Sequence, residues 1–492
     1  MNLATLASLV LLMTQVEPES HQAAVLVGGD YGVGFSSAMI TDASRRDIDD
    51  RSAPRRIRAS WWYPSEQMRR TVRYGDYVEL LAADAGAPPD AWQMYADWLV
   101  NLGGTQKDPA AWRRALSDLP TMASRDASPA PGAFPVIVFP GRVAGVSVLA
   151  ETLASHGFVV ASFAIRGATT QALKWWSPSA MEAIALDADR VAEHVQQQTY
   201  ADRGPWTFIG LGISASAGLV AAMDNQRIET LVSLEGGITT AGESRIVEQS
   251  TNFSIQAVRL PMLVIHAPHP HVDVSRVNRY RYSDRTYAYF PAMSEFHFLS
   301  FGWLEQFTPG IIGEAKGETW QDLQDAADLI VAYLRSRQQG QALDIQKLSF
   351  DSVELSQHAA VPPPLSDDDL VDMLASAGVE GIARFRSSAI SGDPKPISLA
   401  AYQRLERQQT LSDVPEQRLT LLQLARQDHP GSAVILYTIA RLHQQQERLG
   451  QAEEYYRLAL NALSVDGDRT LIGERRQQYA DAIADRLAEL DR

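Results

Sequence analysis

The sequence of 492 residues contains no cysteine, which excludes disulfides, thiolate metal sites, iron–sulfur clusters and a cysteine nucleophile together. Any nucleophile must therefore be serine, threonine, lysine or a carboxylate. Positive charge is also scarce, since 44 Lys plus Arg stand against 59 Asp plus Glu and leave a net charge of −15. Phosphate neutralisation needs a basic face, so we expect no nucleic acid partner.

Long hydrophobic runs are absent as well. No stretch approaches the roughly 18 apolar residues that a membrane-spanning helix requires, so no transmembrane span is expected. The apolar run Leu3–Met13 has 11 residues, which suits the core of a secretory signal, although no Lys or Arg precedes it. We expect residues 1–20 to be a signal peptide or an N-terminal extension. The first case predicts a periplasmic or secreted protein, and the second a cytoplasmic one.

Apolar runs alternate with helical patterns over residues 25–340. FPVIVFPG, FVVASFAI, WTFIGLGIS, ETLVSLEGG and LPMLVIHAP are continuous runs rich in Val, Ile and Phe, as strands buried on both faces of a parallel sheet are. SVLAETLASHG and SAMEAIALDADRVAEHVQQQ lie between them with helical spacing. The alternation predicts an α/β domain with a doubly wound, mostly parallel sheet. Residues 74–118 interrupt it with helical periodicity, which predicts an inserted helical cap.

The C-terminal quarter has a different character. Three consecutive prolines in AVPPPLSDDDL preclude helix and central strand, so residues 341–364 are predicted to be a linker. Residues 365–492 are rich in Gln, Arg, Ala and Leu, and they predict a small all-α domain. The segment AVILYTIARLHQQQERLGQAEEYYRLALNAL places large and small residues at the offsets of a tetratricopeptide repeat. Two such repeats cannot bury a core alone, so this domain should lean on the α/β domain or on a protein partner.

A candidate nucleophile follows the strand WTFIGLGIS. A serine on a strand-to-helix turn needs small neighbours two positions to either side, because the backbone is strained and the helix passes close to the strand. Gly212 and Ser216 flank Ser214 in this way, which gives G-x-S-x-S. Ser216 competes through S-x-S-x-G, which ends at Gly218. We prefer Ser214, because glycine is harder to replace before the nucleophile than after it.

The partners of a serine nucleophile appear in the order acid, then histidine. His297 in SEFHFLSF follows the last strand-like run and is the candidate base. Glu235, at the end of ETLVSLEGG, and Asp273, beyond LPMLVIHAP, are the two candidate acids. We prefer Glu235 because it follows its strand immediately and precedes two glycines.

An oxyanion hole requires two backbone N–H donors. Ala215, next to the nucleophile, is the expected first donor. Arg142 or Val143 is the expected second donor, because Pro140-Gly141 turns the chain at the end of FPVIVFPG.

Two further patterns predict no cofactor and no metal. HAPHPHVD concentrates three histidines and an aspartate, but Pro268 and Pro270 break both helical and strand ligand spacing. GGDYGVG lacks the G-x-G-x-x-G spacing of a dinucleotide loop. The tryptophan pairs at 61–62 and 175–176 either line an acyl pocket or cover the core.

Several of these segments together resemble the α/β-hydrolases, and within them bacterial relatives of platelet-activating-factor acetylhydrolase and dienelactone hydrolase. The resemblance covers residues 25–335 and rests on YGVGFSSAMITDASR, APRRIRASWWYP, FPVIVFPG, GISASAG, VSLEGG and EFHFLSF. It implies Ser214 as nucleophile, Glu235 as acid in place of the usual aspartate, and His297 as base. The sequence departs from the family at Pro140-Gly141, where His-Gly is usual, and at the elbow, which lacks its final glycine. The C-terminal part resembles helical-repeat tails of some bacterial esterases.

The expected function is that of a cofactor-independent serine esterase acting on a small or lipid-like ester through an acyl-enzyme. Two alternatives stay open. The same triad would serve a peptidase or amidase. A catalytically inactive hydrolase fold could act as an interaction protein through residues 365–492.

Overall fold

The computed structural model describes residues 26, 28–84, 90–167, 177–251, 253–313, 317–350, 352–361, 366–388, 397–408, 414–464, 468, 471 and 473–490. The N-terminal apolar run, the tryptophans at 175 and 176 and the three consecutive prolines lie outside these residues. The prediction of a signal peptide therefore stays a prediction.

A ten-stranded sheet runs through the α/β domain in the order β10-β9-β8-β7-β6-β4-β5-β2-β1-β3. Its central strands β4 to β9 pair in parallel, as their continuous apolar runs predict. β2 pairs antiparallel with both β1 and β5. Without the edge strands β3 and β10, this is the strand order of the α/β-hydrolase fold. The strands are β1 (Gly32–Arg46), β2 (Pro54–Ser65), β3 (Ala123–Arg125), β4 (Val136–Val138), β5 (Val159–Phe163), β6 (Trp206–Leu211), β7 (Ile228–Leu234), β8 (Met262–His266), β9 (Arg285–Tyr289) and β10 (Glu354–His358).

Helices cover both faces of the sheet, so the domain has two apolar layers. One layer joins the sheet to α4, α9 and the helices α1 to α3, which form the predicted insertion between β2 and β3. The other layer joins it to α5, α6 and α7. The helices of this domain are α1 (Tyr74–Asp84), α2 (Ala91–Asn101), α3 (Pro109–Leu116), α4 (Val143–Ser155), α5 (Pro178–Val195), α6 (Ile213–Asp224), α7 (Ala241–Gln249), α8 (Ser300–Leu304) and α9 (Thr319–Gln338).

The tryptophan pair of β2 belongs to the core, so the idea that it lines an acyl pocket is wrong. Trp61 and Trp62 are adjacent on a strand and therefore face opposite layers. Trp61 donates from Nε1 to the Tyr200 hydroxyl at 2.9 Å, and Trp62 donates to the Tyr77 hydroxyl at 2.8 Å.

The predicted linker contains a strand that the sequence pattern did not indicate. β10 pairs antiparallel with β9 at the edge of the sheet, with Glu354 opposite Tyr289 and Ser356 opposite Tyr287. Four of the five residues of its polar sequence ELSQH are exposed, so it lacks the apolar signal of the buried strands.

The C-terminal region is helical throughout its described part and has two apolar clusters of its own. His429 joins this region to the α/β domain, since its buried ring lies 2.7 Å from the Thr251 carbonyl oxygen through Nδ1. Through Nε2 the same ring lies 2.9 Å from the carbonyl oxygen of Ile397, within the helical region. The helices are α10 (Asp367–Ala375), α11 (Gly378–Ser388), α12 (Leu399–Glu406), α13 (Pro415–Asp428), α14 (Ala433–Gln445), α15 (Leu449–Ser464) and α16 (Gly473–Leu490). No described helix is apolar over a long enough stretch to cross a bilayer.

Candidate active site

The sharp turn between β6 and α6 is centred on Gly212. Its φ of 54° and ψ of −127° lie in a region that residues with a side chain adopt only under strain, as a nucleophile on such an elbow does. Gly210 and Ser214 are the small residues two positions to either side. A Cβ on Gly210 would stand 2.3 Å from the Ala215 nitrogen, so glycine is required there. The elbow therefore lies two residues before the serine that the sequence favours.

Ser214 is already inside α6, and its hydroxyl bonds to its own elbow. Oγ accepts the Leu211 N–H at 2.8 Å and lies 2.8 Å from the Leu211 carbonyl oxygen, to which it donates. The side chain is 1% exposed. Ser216 is also buried, and its Oγ has no hydrogen-bond partner. Neither hydroxyl stands at the elbow, so the geometry does not support a nucleophilic role for either.

His297 lies on the short 3₁₀ helix Glu295–Phe298, which follows β9. Its Nδ1 accepts the Ser294 N–H at 3.1 Å, so Nδ1 carries no proton when the ring is neutral, and Nε2 carries it. Nε2 has no hydrogen-bond partner and faces Glu305 Oε1 at 3.8 Å. No hydrogen bond joins His297 to Ser214, Glu235 or Asp273, all of them described residues, so the predicted triad is not assembled.

The two candidate acids differ in position. Asp273 is half exposed and binds its own turn, accepting the Ser275 hydroxyl at 2.5 Å and the Ser275 N–H at 3.1 Å. Glu235 is 2% exposed and lies where the sequence placed it, directly after β7. Its Oε2 accepts the Ala267 N–H at 2.5 Å, while the buried Oε1 has no partner.

The Glu235 backbone is bent around the elbow. Glu235 has a φ of 33°, which is unusual for a residue with a side chain and marks stored strain. A Cβ on Gly237, two residues later, would stand 2.3 Å from the Gly212 carbonyl oxygen. Close backbone contact with the elbow therefore requires glycine at 237, and the φ of 68° favours it at 236.

Glu295 and Glu243 approach the elbow where a nucleophile side chain would stand. A Cβ on Gly212 would lie 3.4 Å from Glu295 Oε1 and 3.9 Å from Glu243 Oε1. Burial raises the pKa of Glu295 to about 7, and the negative charge of Glu243 adds to the effect. The pKa of Glu243 is raised by burial too, although the hydrogen bond from the Thr240 hydroxyl at 2.6 Å opposes the shift.

The charge of Glu295 also affects the protonation of Glu235. Burial raises its pKa to about 7, the Ala267 N–H opposes the shift, and the charge of Glu295 adds to it. Close carboxylates with coupled titrations hold protons as a group rather than singly. We call Glu235, Glu243 and Glu295 the elbow carboxylates.

The predicted oxyanion donors need one correction. The Ala215 N–H donates to the Gly212 carbonyl at 2.9 Å, so it is engaged inside the helix. With the elbow at Gly212, the following residue is Ile213, whose N–H belongs to the first turn of α6 and has no intrahelical acceptor. The α4 helix starts at Val143 and Arg142 precedes it as the N-cap residue. Their role as oxyanion donors stays a prediction. The Arg142 guanidinium lies over the Trp98 ring at 5.3 Å.

The described residues contain no group of three or more His, Asp or Glu side chains arranged to hold a metal ion. In HAPHPHVD, His266 ends β8, while His269 and His271 lie in the loop that follows, where their rings pack edge to face at 5.3 Å.

Comparison with known proteins adds little to this geometry. No family model matches the sequence, and no curated protein matches it. Among solved structures, a ferulic acid esterase from Streptomyces cinnamoneus is similar with a TM-score of 0.47 and 17% identity, over 67% of this chain and 98% of that one. A likeness this distant carries no activity to the chain, and the fold rests on its own strand order.

Sequence reasoning missed Gly212, Glu295 and Glu243. The sequence did contain a signal for Gly212. In Gly210-Leu211-Gly212-Ile213-Ser214, small residues lie two positions to either side of Gly212, which is the spacing of an elbow with glycine in place of the nucleophile. Glu295 lies two residues before His297, and on a tight 3₁₀ turn that separation directs the two side chains differently.

Proposed function

We propose that the chain is a hydrolase of carboxylic esters that activates a water molecule with Glu295, without forming an acyl-enzyme on serine. The observation that carries this proposal is the 3.4 Å separation between Glu295 Oε1 and the Cβ position of Gly212. Glycine lacks the methylene and hydroxyl of a serine, and a Cβ at this position would meet no atom nearer than 3.4 Å. A water at that point would lie within reach of Glu295.

The proton chemistry of the elbow carboxylates suits this role. A general base works best when its pKa is near the working pH, and burial raises the pKa of Glu295 to about 7. The pKa of Glu235 is raised to about 7 as well. When such a pair shares a proton, one carboxylate accepts a proton while its neighbour holds one to donate.

The reaction then proceeds in balanced steps. The water oxygen bonds to the ester carbonyl carbon while the ionised Glu295 takes the water's proton. The carbonyl oxygen becomes an oxyanion, which the N–H groups at the start of α6 and α4 would stabilise. As the tetrahedral intermediate collapses, the carbon–oxygen bond to the leaving group breaks and a protonated elbow carboxylate supplies the proton. The products are a carboxylic acid and an alcohol.

A panel of p-nitrophenyl esters and p-nitroanilides tests the proposal on the full chain. We expect ester turnover that Glu295→Gln removes and Ser214→Ala retains. Glu248→Gln is the matched control, because Glu248 lies on the same helix as Glu243 but pairs with Arg279. Preference for anilides would make the chain an amidase, and loss of ester turnover in Ser214→Ala would restore the serine esterase; either result contradicts the proposal.

The second candidate is an interaction protein with an inactive hydrolase domain. It is favoured by the glycine at the elbow and by the orientation of His297 toward Glu305. Residues 365–492 would then supply the working surface. Absence of turnover of every ester and anilide by the folded full chain would favour this function.

A further inference from the structure

His297 has no part in the chemistry proposed above, although it lies on the same 3₁₀ helix as Glu295. Its side chain is 2% exposed. A polar ring is costly to bury unless its nitrogens have partners, so the contacts of the two ring nitrogens indicate what the residue does.

The Nδ1 atom of His297 is the acceptor at the start of this turn. It accepts the Ser294 N–H at 3.1 Å, and the Ser294 hydroxyl lies 2.9 Å from the same nitrogen. In return, the His297 N–H donates to the Ser294 carbonyl oxygen at 3.0 Å. The two residues form a capping box, in which glutamate or glutamine is the usual residue at the position of His297.

The Nε2 atom of His297 faces Glu305. Glu305 Oε1 lies 3.8 Å away, and neither atom has a hydrogen-bond partner among the described residues. Glu305 Oε2 accepts the Gly310 N–H at 2.7 Å, which fixes the carboxyl group. A carboxylate beside Nε2 favours the tautomer that carries its proton on this nitrogen. Nδ1 then has no proton and can accept, as the capping box requires.

The backbone of His297 is held by the helices that follow it. A Cβ on Gly302 would stand 2.2 Å from the His297 carbonyl oxygen, so α8 packs directly on the turn. The Gly302 carbonyl oxygen accepts the Thr319 hydroxyl at 2.9 Å, at the start of α9. Ser294, by contrast, is exposed and is tied to the turn through the ring.

We propose that His297 is a positioning residue that holds Glu295 beside the elbow, a role that rests on the proposed function of Glu295 as general base. Glu295 directly follows Ser294, so loss of the cap would shift its backbone. Its Oε1 lies 3.4 Å from the Cβ position of Gly212. A displacement of about 1 Å at a reacting group can lower a rate by about 100-fold. The ring therefore acts through Glu295 and not on the substrate.

Two substitutions of His297 distinguish this role from that of a catalytic base. His297→Gln retains an acceptor for the capping box but has no basic nitrogen, whereas His297→Leu has neither. With the p-nitrophenyl ester that the wild type hydrolyses fastest, His297→Leu should lower kcat about 30-fold and leave KM within about twofold. His297→Gln should restore kcat to within about threefold of the wild type. His271→Leu, at an exposed loop histidine, is the control and should match the wild type.

Hydrogen–deuterium exchange in the full chain tests the cap without reference to turnover. Residues 290–300 should exchange about fivefold faster in His297→Leu than in the wild type, because the opened cap exposes the turn. His297→Gln and His271→Leu should exchange as the wild type does. If the wild type hydrolyses no ester, the proposed function fails, and the exchange rates still decide whether His297 caps the turn.

Three results would overturn the inference. The first is turnover as low in His297→Gln as in His297→Leu, which would make the ring a catalytic base. The second is wild-type kcat in His297→Leu, and the third is unchanged exchange of residues 290–300 in that variant. If His297→Leu does not fold, turnover and exchange in His297→Gln decide by themselves.

Discussion

Glu295 Oε1 stands 3.4 Å from the point at which a Cβ on Gly212 would lie. In a serine hydrolase this is the neighbourhood of nucleophile and base. Here the elbow residue has no side chain, and the group beside it is a carboxylate. His297, two residues further along the same turn, faces Glu305 instead.

Removal of the Glu295 carboxylate should abolish hydrolysis while the protein stays folded. General acid–base catalysis contributes roughly 10²–10⁴-fold, so Glu295→Gln should lower kcat/KM by a factor in that range. Steady-state kinetics measure it, and the melting temperature checks the fold. Wild-type kcat/KM in Glu295→Gln would contradict the role of the carboxylate.

The rate of hydrolysis should depend on pH as a narrow bell centred near pH 7. Glu295 acts ionised, so the rate falls as pH decreases below its raised pKa of about 7. The neighbouring carboxyl of Glu235 must be protonated to supply the proton of the leaving group. The rate therefore also falls as pH rises above the pKa of Glu235, which is likewise about 7. The two limbs report the pair rather than single residues. A rate that stays constant from pH 5 to pH 9 would count against the paired carboxylates.

Ser214 should matter for stability and little for chemistry. Its buried hydroxyl makes two 2.8 Å contacts with the Leu211 backbone, so Ser214→Ala should cost about 1 kcal/mol of unfolding free energy. Urea denaturation gives this value, and ester turnover is measured on the same sample. An unchanged stability together with lost turnover would assign Ser214 a catalytic role after all.

The two-residue displacement of the elbow shows what the sequence can and cannot predict. GLGIS and GISAS both place small residues at the required spacing, and a serine is the natural centre of such a pattern. Only the φ of 54° at Gly212 distinguishes them. Glu235 was predicted at its strand end because ETLVSLEGG marks where the strand stops. The direction of Glu295 depends on a turn that single-residue patterns do not specify.

Glu151 should make the protein more stable at about pH 4.5 than at pH values above 7. This carboxyl is fully buried and accepts the Tyr77 hydroxyl and the Met122 N–H, and burial raises its pKa from 4.5 to about 7. The folded state therefore retains a proton that the unfolded state releases, and stability decreases as pH rises from about 4.5 to 7.

Glu151→Gln isolates this contribution. The variant should match the wild type at pH 5 and exceed it at pH 8 by up to about 3 kcal/mol in unfolding free energy. Glu193→Gln, at an exposed carboxylate paired with Arg190, should follow the wild type at both values. Equal stability of Glu151→Gln and the wild type at pH 8 would contradict the raised pKa.

His429 should hold the helical region against the α/β domain. Its buried ring lies 2.7 Å from the carbonyl oxygen of Thr251 in the α/β domain through Nδ1, and 2.9 Å from the carbonyl oxygen of Ile397 in the helical region through Nε2. His429→Ala removes both buried contacts and should cost about 2–3 kcal/mol of unfolding free energy. Thermal denaturation with His358→Ala as the exposed control measures it. An unchanged transition in His429→Ala would show that the contact does not couple the two parts.

Buried strands were predictable because a continuous apolar run indicates burial on both faces. Amphipathic helices were predictable because helical spacing of apolar residues indicates burial on one face. Continuous apolar runs indicated β4 to β8, and helical periodicity indicated the insertion between β2 and β3. The edge strand β10 was not predictable, since four of the five residues of ELSQH are exposed and its pairing with β9 depends on a distant strand.

Labelling with a fluorophosphonate probe tests the position of the elbow most directly. The wild type and Ser214→Ala should both remain unlabelled, because no hydroxyl stands at the elbow. The double variant Gly212→Ser with Glu295→His, which would place serine and histidine beside Glu235, should become labelled. Labelling of the wild type that disappears in Ser214→Ala would contradict the account and return the nucleophile to Ser214.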